Sequence, residues 1–289
     1  MRSIRRAWIG CALLLLALSS LVHAGPGSSE MRFFFDGWSG PAIPVRVFVP
    51  DNAAPDMPIV IVMHGASRDA ARYCDDWRAT AAKAGFIVAV PHFSRKAFPR
   101  SARYNLGNVF DPATKQRRPA AAWTFAAIEP LFDELVDQLG GRQTHYTLFG
   151  HSAGAQFVHR FLYFVPDARA KRAIVANAGW YTMPDFGVEY PYGLDGSGLD
   201  ESVLPGYFAR DLVILLGDAD TQRDDDDLRK TPEAELQGRH RYDRGHTFHR
   251  VGRARAAAID ARFNWRLVEV PGAGHSNADM TPAAASLVD

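Results

Sequence analysis

The chain has 289 residues, of which 47% are hydrophobic, 22% charged and 11% aromatic. This composition is ordinary for a globular protein and excludes a disordered, collagen-like or coiled-coil chain. A formal charge of +1 gives no electrostatic case for nucleic-acid binding, and two cysteines are too few for a disulfide scaffold.

The N-terminal residues 1–24 are predicted to be a secretory signal. Arg2, Arg5 and Arg6 form a basic start, an apolar run follows over residues 8–18, and small residues lead to a cleavage site after Ala24. The apolar run is shorter than the roughly 20 residues that a membrane anchor needs. We therefore predict a periplasmic or secreted protein that keeps no stable membrane anchor after signal cleavage.

Residues 25–42 are predicted to be a leader and a first strand region, with a flexible start at 25–30, where Gly, Pro and Ser dominate. Residues 43–289 are predicted to be one domain, because no repeat, linker or change of composition interrupts them. Cys11 leaves with the signal, so Cys74 has no partner for an internal disulfide. The stability of the domain must then come from its core.

Along this domain, short β-rich runs alternate with helical patterns. The predicted strands are 45–49, 58–63, 86–90, 146–149, 173–177, 212–216 and 265–270; the predicted helices are 69–84, 120–139 and 152 to about 165; the stretches 94–119 and 180–209 are predicted to be a long loop and a set of loops or a small lid. The first strand alternates in polarity, which indicates an edge or antiparallel strand, whereas the later strands are mostly continuously apolar. This order predicts an α/β fold with a mostly parallel central sheet and helices on both faces.

Residues 150–154, Gly-His-Ser-Ala-Gly, fit the pattern Gly-x-Ser-x-Gly between a predicted strand and a predicted helix. A serine on such a strained turn needs neighbours without bulky side chains, and the helix that begins there directs N–H groups at a developing oxyanion. Ser152 is therefore the predicted nucleophile. The alternative is a glycine-rich turn in which Ser152 only caps the helix.

Four stretches make the sequence resemble the α/β-hydrolase superfamily, and within it secreted esterases related to polyhydroxyalkanoate depolymerases and feruloyl esterases. They are residues 63–66, 150–154, 217–220 and 271–275, in the order oxyanion loop, serine, acid and histidine. The resemblance implies that the backbone N–H groups of Ala66 and Ala153 form the oxyanion hole. The alternative is that the sequence around Ala66 merely ends a strand.

The serine needs a general base and a group that orients it. His275 follows the last predicted strand through a glycine-rich loop, which is where the resembled fold keeps its base, whereas the side chain of His151 should point away from the exposed tip of the turn. For the acid we predict Asp220, which lies further beyond its strand than Asp218 and stands where the superfamily commonly carries the acid. Asp218 remains the alternative.

No metal site is predicted. His240, His246 and His249 fit no compact zinc spacing. The acidic run 224–227 lacks the glycine and the spaced ligands of a calcium loop, and it indicates a solvated loop compensated by nearby arginines.

The predicted function is hydrolysis of a carboxylic ester through an acyl-serine intermediate, without a cofactor, on a small-molecule or oligomeric ester. Trp180 and Tyr181 follow a predicted strand and are expected to border the mouth of the site, where they could contact the substrate. A serine peptidase or amidase on the same fold is the alternative enzyme, because the same groups attack both carbonyls. A non-catalytic binding protein that has kept the fold is the alternative from another class.

Overall fold

The computed structural model describes residues 29–288. Its strands are β1 (Ser29–Phe35), β2 (Ile43–Val49), β3 (Ile59–Met63), β4 (Ile87–Pro91), β5 (Tyr146–His151), β6 (Ala170–Ala176), β7 (Leu212–Gly217) and β8 (Arg266–Val270). Its α-helices are α1 (Ala70–Ala84), α2 (Ile128–Leu139), α3 (Ala153–Phe164), α4 (Val203–Ala209), α5 (Pro232–Gln237), α6 (Arg241–Ala258) and α7 (Asn277–Ala285). The predicted signal at residues 1–24 lies outside the described residues. Within residues 29–288 no helix is long and apolar enough to cross a membrane.

The eight strands form one sheet in the order β1-β2-β4-β3-β5-β6-β7-β8. Strand β2 pairs antiparallel with both of its neighbours, β1 and β4, whereas β3 to β8 pair parallel with one another, as the α/β prediction requires. Met63 pairs with Gly150 and Gly217 pairs with Val270, so the carboxyl ends of these four strands lie along one edge. The loops that leave this edge are the ones predicted to carry the functional residues.

Helices cover both faces of the sheet and bury a core on each. On one face, α1 and α7 pack Trp77 and Met280 against the strands. On the other, α2, α3, α4 and α6 contribute a larger cluster that includes Leu131, Phe157 and Phe248. Because helices cover β3 to β7 on both sides, these strands are apolar along their length rather than alternating.

The prediction of a flexible segment over residues 25–30 is wrong for Ser29 and Glu30, because both residues belong to β1. Glu30 forms ion pairs with Arg46 on β2, at 2.6 Å, and with Arg78 on α1, at 3.0 Å. The strand therefore begins inside a polar segment whose side chains gain partners only in the folded sheet.

The predicted helix 120–139 is α-helical only from Ile128 onward. Residues 120–127 form two short 3-10 turns separated at Trp123, whose backbone is extended. A helix running through from 120 would place Pro130 in its interior, where it lacks an N–H and clashes with the carbonyl four residues back. Beginning at Ile128 places Pro130 in the first turn, where proline is tolerated.

Four helices were not predicted: α4 within the stretch 180–209, α5 and α6 beyond it, and α7 after the last strand. The buried side of α6 carries Arg241, Arg244 and two glycines beside Phe248, so it has no apolar periodicity to detect. One of those glycines is Gly252, where an added Cβ would lie 2.4 Å from the ring of Trp265. Close packing against small residues, rather than an apolar stripe, holds this helix on the sheet.

Candidate active site

Ser152 lies on the sharp turn between β5 and α3, with φ 56° and ψ −116°. An added Cβ on Gly150 would lie 2.3 Å from the carbonyl oxygen of Gly154, and one on Gly154 would lie 2.0 Å from the carbonyl oxygen of Met63. Both glycines are thus required by contacts to backbone, which cannot give way as a flexible side chain can. The turn holds a positive φ at a non-glycine residue, a strain that is typical of functional sites.

Ser152, His275 and Asp220 form one hydrogen-bonded chain. The Ser152 hydroxyl lies 3.1 Å from His275 Nε2, and His275 Nδ1 lies 2.7 Å from Asp220 Oδ2. The Asp220 side chain is fully buried, whereas His275 remains partly accessible from the cleft. This is the geometry in which an imidazole accepts a proton from a serine while a carboxylate fixes its tautomer.

Asp218, the alternative acid, has another partner. Its Oδ1 accepts a hydrogen bond of 2.7 Å from the Gly272 N–H, and its side chain is exposed. Asp218 therefore anchors the start of the loop that carries His275, while Asp220 contacts the imidazole itself.

Asn177 follows β6 and joins the two loops that carry the acid and the base. Its Oδ1 accepts from the Gly217 N–H at 2.9 Å, and its Nδ2 donates to the Gly274 carbonyl at 3.0 Å. Asn177 is fully buried with φ 49°, a left-handed conformation that asparagine tolerates better than most residues. Sequence reasoning missed this residue, and an asparagine that ends a buried strand was the one signal available.

The loop after β3 places Ala66 beside the nucleophile, in the same cleft wall as Ala153. His64 holds this loop from below: its Nε2 accepts from the Phe93 N–H at 3.1 Å, and its carbonyl accepts from Tyr104 at 2.6 Å. Within residues 29–288, the N–H groups of Ala66 and Ala153 have no protein acceptor. They are therefore free to bind an oxyanion.

Two solved structures are similar to this chain over most of its length. Poly(aspartic acid) hydrolase-1 from Sphingomonas sp. KT-1 is 43% identical, with a TM-score of 0.87, 92% of this chain covered and 99% of that one. The poly(3-hydroxybutyrate) depolymerase LpqC from Bordetella parapertussis is 34% identical, with a TM-score of 0.84 and coverage of 92% and 89%. The chain belongs to the α/β-hydrolase superfamily.

A more distant structure shares the fold of this α/β-hydrolase. An S-formylglutathione hydrolase from Agrobacterium tumefaciens is 16% identical, with a TM-score of 0.55 and coverage of 92% and 95%. No protein-family model matches the sequence, and no curated protein matches it. The distant structure shows the shared fold alone, and the two closer structures support a hydrolase.

His151 in this α/β-hydrolase lies beneath the site rather than at its tip. Its ring centre is 4.8 Å from that of His275, and its Nδ1 is hydrogen-bonded to the Tyr73 hydroxyl at 2.8 Å. Burial, and then the nearby charges of His275 and Arg241, hold the pKa of His151 well below its usual range. Burial likewise raises the pKa of Tyr73 to about 12. A neutral pair therefore supports the imidazole of His275.

The cleft above Ser152 has a volume of about 540 Å³. Trp180 forms part of its wall, as predicted, and lies between two guanidinium groups, Arg160 at 4.0 Å and Arg229 at 4.8 Å from the ring centre. The prediction for Tyr181 is wrong, because its side chain is fully buried and stacks on Phe248 at 4.4 Å. The backbone of Tyr181 is held in the core by the side chain of Gln237, which accepts from its N–H and donates to its carbonyl, both at 2.8 Å.

The cleft is basic. Four arginines line it, against two acidic residues, Asp226 and Asp227; the four are Arg68, Arg95, Arg100 and Arg229. Within the described part of the chain, none of the four forms an ion pair with a carboxylate. Burial together with the charge of Arg95 lowers the pKa of Arg68, although the guanidinium stays charged. Sequence reasoning missed this cluster, because nothing in the sequence separates these arginines from solvated ones.

Residues 29–288 contain no group of three or more His, Cys, Asp or Glu side chains placed to hold a metal ion. His246 contacts Glu269 at 3.0 Å, and His240 caps α6 beside Asp243. Of the acidic run 224–227, Asp226 and Asp227 line the cleft, and Asp225 forms an ion pair with Arg241 at 2.7 Å.

Proposed function

We propose that this α/β-hydrolase cleaves a carboxylic ester through an acyl-serine intermediate. The observation that carries the proposal is the chain of hydrogen bonds from Ser152 through His275 to Asp220. Ser152 Oγ attacks the carbonyl carbon while His275 Nε2 takes its proton, and Asp220 stabilises the imidazolium. The N–H groups of Ala66 and Ala153 stabilise the oxyanion.

The tetrahedral intermediate then breaks its bond to the leaving alcohol, which receives the proton held by His275. A water molecule, deprotonated by the same imidazole, attacks the acyl-serine and releases the acid. Every proton in the cycle passes through His275 Nε2, so the triad needs no cofactor for either half of the reaction.

The four unpaired arginines support a further element of the proposal, that the substrate carries negative charge. Guanidinium groups that have no carboxylate partner in the protein can form charge-assisted hydrogen bonds with the carboxylates of a substrate. Asp226 and Asp227 offset part of this positive charge. An acidic acyl chain or polymer fits this charge distribution better than a neutral one.

An amide is a second candidate for the bond that is cleaved, and the same arginines could bind the carboxylates of an anionic polyamide. The 43% identical neighbour is a poly(aspartic acid) hydrolase, and poly(aspartic acid) is a polyamide with a carboxylate on every unit. Since a serine triad attacks amide and ester carbonyls alike, we propose hydrolysis of an anionic polyamide as the alternative activity.

Matched substrates separate these candidates. The 4-nitrophenyl esters of butyric acid and of succinic acid have similar acyl lengths, but only the second carries a free carboxylate. We expect a higher kcat/KM for the succinyl ester, with an advantage that shrinks in high salt as screening weakens the attraction. Incubation with poly(aspartic acid) and with poly(3-hydroxybutyrate), followed by product sizing, tests the amide and polyester bonds directly.

The variant Arg100→Gln removes one cleft charge, and Arg103→Gln removes an exposed charge from the same loop outside the cleft lining. We expect Arg100→Gln to lower kcat/KM for the succinyl ester about twofold to fivefold, in keeping with a partly exposed ion pair, and to leave the butyryl ester unchanged. Arg103→Gln should change neither. Equal effects of both variants on both esters would contradict the anionic-substrate proposal.

A fluorophosphonate probe distinguishes the enzyme from the non-catalytic binding protein, because only an activated serine reacts with it.

We propose further that the protein is exported to the periplasm or the medium without a membrane anchor. N-terminal sequencing of the mature protein should then begin at Gly25, and an intact Met1 on active cytoplasmic protein would contradict export.

A further inference from the structure

Arg241 is a buried charge directly behind the proposed triad. It is the first residue of α6, its side chain is 1% exposed, and its Nη1 lies 3.4 Å from Asp220 Oδ1 and 2.7 Å from Asp225 Oδ2. The Asp220 carboxylate is therefore shared: one oxygen faces Arg241 and the other faces the imidazole of His275.

This sharing affects how strongly His275 holds a proton. A positive charge beside Asp220 offsets part of the carboxylate charge that would otherwise stabilise the imidazolium. Asp225 acts in the opposite sense, because it places a second negative charge on the same guanidinium nitrogen, Nη1. Arg241 thus lies between two carboxylates, one of which holds the base.

Asp225 is held in a charged form. Its partial burial disfavours ionisation, but hydrogen bonds from the Asp227 N–H and from Arg241 outweigh it, so the pKa of Asp225 lies below its usual range. The positive charge of a protonated His275 acts on Asp225 in the same direction. The two groups are therefore close enough to interact electrostatically.

Three titratable side chains packed against the triad are neutral. His151 from β5 and Tyr181 from the loop after β6 are both buried. Burial lowers the pKa of His151 and raises the pKa of Tyr181, so both side chains are uncharged. Tyr73 on α1 contacts His151 and is likewise uncharged. The charged groups Arg72 and Asp76 on α1 act on His151 and Tyr73, but they have partners of their own in Asp69 and Asn277. Arg241 and Asp225 are the charged pair in contact with the acid of the triad.

We propose that Arg241 is a positioning residue that sets the pH range in which His275 acts as a base, and that Asp225 adjusts its strength. The inference rests on the proposed triad. It also assigns a role to the acidic run 224–227. Asp226 and Asp227 line the cleft, and the preceding residue, Asp225, carries a negative charge that is coupled to the base.

The test is the pH dependence of the rate constant for fluorophosphonate labelling of Ser152, which needs no knowledge of the substrate. Arg241→Gln should move the midpoint of the acid limb to higher pH, and Asp225→Asn should move it to lower pH. Each shift should be about 0.5–1 pH unit, less than the roughly 1–3 units typical of a directly touching charge, since both act at one remove. The double variant should lie near the wild type.

Two controls separate this effect from structural damage. Asp224→Asn removes a negative charge from the same loop at a residue that does not contact Arg241, and it should leave the midpoint unchanged. Arg241→Lys keeps the positive charge, so its midpoint should lie close to that of the wild type. A damaged fold lowers the labelling rate at every pH but does not move two midpoints in opposite directions.

If Arg241→Gln does not fold, Asp225→Asn and Arg241→Lys still decide the matter. Unmoved midpoints, or midpoints that move in the same direction, would overturn the role of Arg241. In that case labelling that is lost in Ser152→Ala would leave the proposed function standing. Labelling that persists in Ser152→Ala would refute the proposed function itself.

Discussion

Acid should destabilise this protein well before its carboxylates become protonated, because several buried histidines are neutral in the folded state. His64 and His159 are fully buried, and each uses both ring nitrogens in the neutral form. In His159, Nδ1–H donates to the Ala155 carbonyl at 2.9 Å and Nε2 accepts from the Thr182 N–H at 3.0 Å. Protonation of Nε2 would set two donors against each other.

The magnitude follows from the pKa values. Burial, followed by the charge of Arg68, lowers the pKa of His64 to about 3, and burial with the charge of Arg160 holds that of His159 well below its usual range. In the unfolded chain both return to about 6.5. A group with a lowered folded pKa contributes full stability above the unfolded value and loses it as pH falls below that value.

At pH 5, His64 binds a proton in the unfolded state but not in the folded state, which costs about 2 kcal/mol. His159 and His151, which are also buried and neutral, add to this loss in the same direction. Urea titrations followed by tryptophan fluorescence at pH 7.5 and pH 5 measure this difference directly.

The variant His159→Gln should be less stable than the wild type at pH 7.5, yet its unfolding free energy should fall less than that of the wild type between pH 7.5 and pH 5. His145→Gln is the matched control, since His145 is exposed, and it should follow the wild-type pH dependence. An unfolding free energy that stays constant between the two pH values would refute the reasoning.

Three further predictions concern the triad and its turn. Ser152→Ala should lower kcat by about 10³-fold or more and abolish fluorophosphonate labelling; retained labelling would place the nucleophile elsewhere. Asp220→Asn should lower kcat by up to ~10⁴-fold through the wrong imidazole tautomer, whereas Asp218→Asn should cost far less, and the reverse ranking would contradict the assignment. Gly154→Ala should destabilise the protein by about 1–3 kcal/mol or prevent folding, because the added Cβ meets a backbone carbonyl of β3 at 2.0 Å; an unchanged melting temperature would argue against this packing.

The fold was largely predictable because its signals are local. Continuous apolar runs predicted the buried parallel strands, and Asp69 with Gly85 bounds α1 as its caps. The glycines around Ser152 predicted a strained turn, since the reason for them is steric and close in sequence. Helix α6 was missed because its buried side packs glycines and arginines, so its position depends on tertiary contacts that leave no periodic pattern.

The residues of the site likewise fall into those that the sequence predicted and those that only the tertiary structure identified. Sequence alone placed Ser152, His275 and Asp220 at the ends of three strands, because parallel strands deliver their carboxyl ends to one edge. Only the tertiary structure decided that Asp220 contacts the imidazole while Asp218 binds the Gly272 backbone. The two residues are both aspartates and lie two positions apart, so they differ only in the direction in which their side chains point. The arginines of the cleft and the pairing of Arg241 with Asp225 likewise belong to the tertiary structure. A charge acts through distance and burial, and both are set by residues far apart in the sequence.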